Sequence, residues 1–158
     1  MPTLDYTGSS AAGAKVPESF SAHAHRTVLY RRLKVADIIA ADATMTTNGY
    51  ITADDIIQAL HVANGFSFDF AVWRIITAHT ATVTVEIGLA GGAECIGSTP
   101  VDAAAAAGVC YRTIEADSYD LGHVFVAADT IDIQYGIANV VVGDSELFVF
   151  GSQLVLGS

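Results

Sequence analysis

The sequence is poor in cysteine, in basic residues and in long apolar runs, and each shortage excludes a class of protein. Its 158 residues include only two cysteines, Cys95 and Cys110. Two cysteines are too few for the disulfide scaffold of a small secreted domain, and their spacing fits no zinc-binding pattern. We expect a reduced protein, and the spacing leaves a disulfide between the two cysteines open.

Basic residues are scarce as well. The chain has 7 Lys and Arg against 17 Asp and Glu, a formal net charge of −10. Because proteins bind nucleic acids mainly through lysine and arginine contacts to phosphates, this balance argues against a nucleic-acid partner. Only 15% of the residues are charged, whereas about 25% is usual in soluble domains. We therefore expect a partner to cover part of the surface, with self-association as the default.

No apolar run reaches the roughly 20 residues that a membrane-spanning helix needs. The alanine run at 103–107 has five residues. Met1 is followed by Pro-Thr-Leu-Asp and not by a basic segment and an apolar run, so we expect no secretory signal peptide. The sequence predicts neither a membrane partner nor a membrane anchor.

The charges that are present are unevenly distributed. Residues 1–35 carry five basic and two acidic side chains, whereas residues 36–158 carry two basic and fifteen acidic ones. Residues 1–25 are rich in Gly, Ala and Ser without apolar periodicity, which predicts an extended N-terminal arm before a β-sandwich domain at 26–158. The alternative is that the basic residues only solubilise the first strand. The arm and first strand are predicted to bind an acidic partner, such as a neighbouring copy, through Tyr6, Lys15, Phe20, Arg26, Arg31 and Arg32.

Most of the remaining chain alternates apolar and polar residues with the period of a β-strand. The first strand is expected at 26–35, continuing loosely to 39, with a loop at 40–48 and a turn at Asn48-Gly49. Residues 50–62 fit a strand or a helical turn, and we favour the strand. Further strands are expected at 66–75, 80–88, 122–127, 130–135 and 145–156.

These strands predict an all-β fold. Residues 78–79 form a tight connection, so the strands on either side are expected to pair as a hairpin. Seven or eight strands joined by short turns and one long excursion, 91–108, indicate an antiparallel β-sandwich or barrel.

No pattern of catalytic or cofactor-binding residues is present. The sequence has neither a Gly-x-Ser-x-Gly nucleophile elbow nor a phosphate-binding loop. His23 and His25 would lie on one side of a strand but lack a third metal ligand nearby. His61, His79 and His123 are expected at surface or strand-edge positions. We therefore predict no enzymatic activity, no cofactor and no metal site.

One region resembles a known family. Residues 51–65 (ITADDIIQALHVANG) resemble a segment of small virion structural proteins of tailed bacteriophages, in which a short Ile/Leu strand leads through a loop of the "(I/V)PAG" type into a long strand. Residues 81–88 and 101–105 are also similar. Residues 127–133 (AADTIDI) resemble the "ADDTIDV" strand start of that family. The resemblance covers about residues 50–156 and does not include the arm.

The resemblance implies a jelly-roll-like sandwich that acts as a capsid decoration, or cement, protein. Such a protein binds the outer surface of the phage head and stabilises contacts between major capsid subunits. The implied partners are the major capsid protein and neighbouring copies, with a homotrimer favoured and a dimer possible. The implied location is the virion surface, after assembly in the host cytoplasm.

Two other functions compete with this one. The first is a receptor- or glycan-binding head of a phage tail fibre or spike, in which Trp73, Tyr111 and Tyr119 stack on sugar rings. In a sandwich, however, Trp73 is most simply a core or interface aromatic. The second is a small enzyme of the cupin type, for which the sequence lacks the required His/Glu spacing.

Overall fold

The structure is a computed structural model that describes residues 24–53, 55–89, 101–112 and 123–154. Between the first two strands lie two short helices, α1 (Val35–Ala41) and α2 (Ala43–Asn48). The strands found in these ranges are β1 (Ala24–Lys34), β2 (Ile56–Val62), β3 (Phe66–Thr77), β4 (Thr84–Leu89), β5 (Val101–Asp102), β6 (Cys110–Arg112), β7 (Asp129–Gly136) and β8 (Asp144–Leu154).

The strands form two antiparallel sheets of four. Sheet 1 has the order β1-β8-β3-β6, and sheet 2 has the order β2-β7-β4-β5. The first strand thus pairs with the eighth, the second with the seventh, the third with the sixth and the fourth with the fifth. This order results when one long antiparallel hairpin is rolled up, as in a jelly roll. The predicted all-β antiparallel sandwich is confirmed.

The core lies between the two sheets. Alternate residues of β3 and β7 point into it, and Trp73, Ile75, Ile131 and Ile133 are fully buried there. In β3 a bulge between Phe68 and Phe70 shifts this alternation, so Phe70 lies on the opposite side of the sheet from Phe66 and Phe68. The predicted strands at 66–75, 130–135 and 145–156 correspond to β3, β7 and β8, and the strand favoured at 50–62 is β2.

The predicted hairpin between residues 66–75 and 80–88 is wrong. β3 belongs to sheet 1 and β4 to sheet 2, so the connection at 78–83 crosses from one sheet to the other. It does so through a turn closed by Val83 N–H donating to the Thr80 carbonyl at 3.3 Å. Thr82 has a φ of 68° in this turn. Strand β4 consequently begins at Thr84 and not at Thr80.

The strand tail and loop expected over residues 36–48 are helical instead. The Asp42 carboxylate caps α2 by accepting hydrogen bonds from the backbone N–H groups of Thr44 (2.8 Å) and Met45 (2.9 Å). Gly49 ends the helix with a φ of 76°, the left-handed conformation that glycine adopts readily. An aspartate before the helix and a glycine after it are readable in the sequence. No helix in the described ranges is long and apolar enough to cross a membrane.

One further expectation needs correction. Of the strand predicted at 122–127, the described part makes only one bridge, between Val124 and Ser67. The alanine run at 103–107 forms turns. Its first residue, Ala103, is buried. The Ala103 N–H donates to the Val83 carbonyl, and the Ala103 carbonyl accepts a hydrogen bond from His79 N–H.

His79 lies in the core, contrary to the expected surface position. Only 4% of its surface is exposed, and its ring is 6.1 Å from that of Trp73 and 5.6 Å from that of Tyr135. The crossing at 78–83 buries it, and Gly143, the residue before β8, packs against the ring. Burial lowers the pKa of His79, because the charged imidazolium would lose its hydration.

We expect the free energy of unfolding to decrease as the pH falls from 7 to 5. The pKa of His79 is lower in the folded than in the unfolded chain, where it is about 6.5, so below this value the unfolded chain binds the proton preferentially. Urea midpoints measured at both pH values test this. The His79→Gln variant should lose part of the decrease, and an unchanged pH dependence in this variant would contradict the prediction. The salt-bridged Asp144, whose pKa is lowered below 3.8, adds its own loss only at more acidic pH.

Candidate interaction face

Sheet 1 carries large apolar side chains on both of its sides, whereas an antiparallel sheet usually exposes a polar side to solvent. In β8, Leu147 and Val149 are buried in the core, so Phe148 and Phe150 point away from it. We call this outward side the aromatic face. Its three central rows, read across the paired strands, are Val28, Phe150 and Phe70; Tyr30, Phe148, Val72 and Arg112; and Arg32, Glu146, Arg74 and Cys110.

The aromatic rings of this face contact one another. Phe70 stacks on Phe150 with a centroid distance of 4.4 Å, and Tyr30 lies 5.1 Å from Phe148. The guanidinium carbon of Arg112 is 4.1 Å from the centre of the Phe70 ring, which is cation–π geometry. Of the edge residues, Val28 is 43% and Tyr30 42% exposed. A contiguous apolar patch on a sheet is typical of a surface that binds another molecule.

Ion pairs run along one side of the aromatic rows. Arg32 makes a bidentate contact with Asp144, Nε to Oδ1 at 3.0 Å and Nη2 to Oδ2 at 2.5 Å. Arg74 pairs with Glu146, which also accepts a hydrogen bond of 2.9 Å from the Tyr30 hydroxyl. The Arg32 guanidinium lowers the pKa of Asp144, and the hydrogen bond to Glu146 raises the pKa of Tyr30. The two acids of this face are thus neutralised within it.

The aromatic face collects most of the positive charge of the chain. The outward alternation of β1 also includes Arg26 and Lys34, at its two ends. Five of the seven basic residues therefore lie on this side of sheet 1, against Asp144 and Glu146. The face has a formal charge of +3, and the remainder of the chain has −13.

The predicted partner-binding residues have different positions in the structure. Arg26 and Arg31 are exposed on opposite sides of β1, and Arg32 is engaged with Asp144 of the same chain. Tyr6, Lys15 and Phe20 lie outside the described residues, as does the predicted arm except for its last two positions, 24 and 25, which belong to β1. Partner binding by these six residues stays a prediction.

Arg31 borders a second feature, a groove of about 820 Å³ where the edges of β1 and β2 meet the two helices. Its apolar wall includes Ile38, Met45 and Ile56. Lysine, arginine and aspartate side chains also line it, so its charges are mixed. The groove therefore has no single charge sign of its own, in contrast to the aromatic face.

The sequence reasoning missed the aromatic face, although a signal for it exists. Residues 147–150 form an uninterrupted apolar run, Leu-Phe-Val-Phe, and residues 70–73 form another, Phe-Ala-Val-Trp. An uninterrupted run is typical of a strand with apolar contacts on both sides, whereas alternation predicts one solvated side. The arginines at 74 and 112 join this face only through the register of β3 with its neighbours.

The candidate residues for chemistry are not gathered into a site. Within the described ranges, no three His, Cys, Asp or Glu side chains are placed to hold a metal ion. Trp73 is fully buried and cannot stack on a sugar, and Tyr111 is half-buried. Cys110 is exposed with a free thiol, while Tyr119 and Cys95 lie outside the described residues.

No protein-family model matches the chain, and no curated protein matches it in sequence. Among solved structures, a chain from the capsid of Ralstonia phage GP4 has a similar fold, with a TM-score of 0.56 and 10% sequence identity over 84% of this chain and 86% of that one. A chain from the acidic stable capsid of Helicobacter pylori bacteriophage KHP30 gives a TM-score of 0.48 and 8% identity over 82% and 92% of the two chains. The first match shows that this protein shares its sandwich fold with a phage capsid chain.

Proposed function

We propose that this protein is a non-enzymatic structural component of a bacteriophage virion. More specifically, we propose that it is a capsid decoration protein that binds the outer surface of the head and stabilises contacts between major capsid subunits. The observation that carries the proposal is the fold shared with a chain of the Ralstonia phage GP4 capsid. Since the match covers 84% and 86% of the two chains, they are of similar length and the shared fold extends over most of each chain.

The distribution of apolar residues supports a role in assembly. A free monomer would expose Phe70, Phe148 and Phe150 on one side of a sheet whose other side already forms the core. Apolar surface in water is unfavourable by about 25 cal/mol per Å². A protein whose role is to bind a repeating surface gains from such a face, whereas an enzyme needs a pocket with converging polar groups.

The N-terminal arm, residues 1–25, has a second role in the proposal. It would contact a neighbouring subunit through Tyr6, Lys15 and Phe20. An arm tethered to a docked domain binds at high effective concentration, so modest contacts add strongly to the overall affinity. Neighbouring copies of this chain, in a trimer or a dimer, belong to the same proposal. Nucleic acid, membrane and cofactors have no part in it.

The purified protein is expected to bind heads that lack it until a fixed number of copies per head is reached. Bound protein should also raise the temperature at which the heads rupture, because contacts that bridge subunits oppose their separation. Sedimentation with quantitative mass spectrometry measures the copy number, and calorimetry of the heads measures the rupture temperature. Isolated tails serve as the control. Finding the protein on tails or fibres and not on heads would contradict the proposal and favour a receptor-binding role.

A further inference from the structure

We propose that the aromatic face is the surface that docks this protein, and that its occupant is an acidic, partly apolar surface of a different protein. The identity of that protein as a capsid subunit rests on the proposed function. This docking moves the main contact from the N-terminal arm to the outward side of sheet 1.

The apolar centre of the face supplies a place for partner side chains. Phe70, Phe148 and Phe150 are half-buried by one another and by their neighbours, and no described element lies over them. Aromatic and arginine side chains at the centre of an apolar patch are the residues that contribute most to binding in protein interfaces. Phe148 and Phe150 lie on β8, which is paired with β1 on one side and with β3 on the other. Their backbone is therefore fixed before binding, so they lose little freedom when a partner binds.

The charges of the face determine which sign of charge its partner should carry. Arg32 and Arg74 are balanced by Asp144 and Glu146 within the face. Arg26, Lys34 and Arg112 remain as the +3 excess, distributed around the aromatic rows. The Arg112 guanidinium carbon lies 4.1 Å from the centre of the Phe70 ring, and a guanidinium can donate two parallel hydrogen bonds to a carboxylate. An acidic partner surface complements this arrangement.

A second copy of this chain does not fit the face. A symmetric dimer through it would bring two faces of charge +3 together, and like charges across an interface are costly. Docking on the outward side of sheet 2 is electrostatically favourable, because its strands carry Glu86 and Asp102 and no lysine or arginine. The two outward sides lie on opposite sides of the sandwich, however, so copies joined in this way would stack in a line without closing. A different protein is the occupant that remains.

Single-stranded nucleic acid also binds sheets that combine aromatic rings with arginine. The face carries only three unbalanced basic side chains, Arg26, Lys34 and Arg112, whereas affinity for nucleic acid comes mainly from many lysine and arginine contacts to phosphates. Nucleic acid is therefore an outcome for the experiment to test and not the proposed partner.

The test compares one double variant, with substitutions on β1 and β6, with a control variant on β2. Arg26→Glu combined with Arg112→Glu reverses the charge of the aromatic face, and Gln58→Glu combined with His61→Glu adds negative charge at two exposed positions of β2, on the other sheet. We expect the double variant to bind heads roughly tenfold more weakly or worse. The control should bind within about twofold of the wild type, and wild-type binding should weaken with added salt. All three proteins should have similar circular dichroism spectra and urea midpoints, because the substituted side chains are exposed.

The outcomes separate this inference from the proposed function. Wild-type protein that binds no heads would overturn both. Wild-type and double-variant proteins that bind equally well would overturn the aromatic face as the docking surface and leave the decoration role standing. If the double variant instead changed the protein's own oligomeric state in sedimentation, a second copy would be the occupant. Tight binding of a single-stranded oligonucleotide, lost in the double variant, would assign the face to nucleic acid. Either result would overturn the inference.

Discussion

Replacing Trp73 with alanine should lower the free energy of unfolding by about 3–5 kcal/mol, the range for truncating a large buried aromatic side chain. The Trp73 side chain is fully buried between the sheets and lies against the ring of His79. Alanine would leave a cavity that β3 cannot close, because this strand is paired on one side with β8 and on the other with β6. Urea denaturation followed by circular dichroism measures the loss.

Two comparison variants make the prediction specific. Trp73→Phe should lose less than half as much as Trp73→Ala, because it keeps a large ring and removes an indole N–H that has no hydrogen-bond partner among the described residues. Val28→Ala, on the exposed edge strand, should change stability by less than about 0.5 kcal/mol. A Trp73→Ala variant as stable as Val28→Ala would contradict the packing described here.

The Gly151→Ala variant should be destabilised by about 2–3 kcal/mol, at the upper end of what overpacking costs. Gly151 lies on β8 and faces the core, where a β-carbon would overlap the carbonyl oxygen of Ser67 and the ring of Phe66. A backbone atom of a paired strand cannot move aside without breaking its ladder of hydrogen bonds. The loss should therefore persist when the ring alone is made smaller, as in the Gly151→Ala/Phe66→Leu double variant.

Gly136→Ala is the matched control, since Gly136 also lies on a central strand, β7. A β-carbon there would lie 2.8 Å from the Thr84 hydroxyl oxygen, the end of a side chain that can rotate. We expect its stability to change by less than about 1 kcal/mol, because alanine also restricts the unfolded chain. Chemical denaturation of both variants gives the comparison. Equal losses at the two positions would show that strand glycine as such, and not the Ser67 carbonyl, determines the cost.

The sequence alone was sufficient to predict features that depend on residues close together in the chain. Apolar alternation predicted β3 and β7 as strands, because a strand with one buried side imposes that pattern. The caps of α2 were also readable, as Asp42 and Gly49, but β-rich residues before them favoured a strand. In that segment the local signal existed and was outweighed.

Sequence reasoning failed where the cause is distant in the chain. Alternation does not name a strand's partner, so β3 and β4 were paired although they lie in different sheets. His79 looks like a turn residue, and its burial depends on the crossing of the chain and on Gly143. The ion pair of Arg32 could not be predicted either, because its carboxylate, Asp144, lies 112 residues later in the chain. The aromatic face is likewise assembled from four strands.

The pairing of β1 with β8 also determines when the fold can be completed. Tyr30 and Phe148 meet across these strands, and Ala24 lies opposite Leu154. During synthesis β1 leaves the ribosome long before its neighbour exists, so sheet 1 cannot close until residue 154 is available. Folding that must wait for such distant contacts is slow, and unpaired edges with exposed rings promote aggregation in the meantime. The strand that presents the basic edge of the aromatic face is therefore also the strand that waits longest for its neighbour during synthesis.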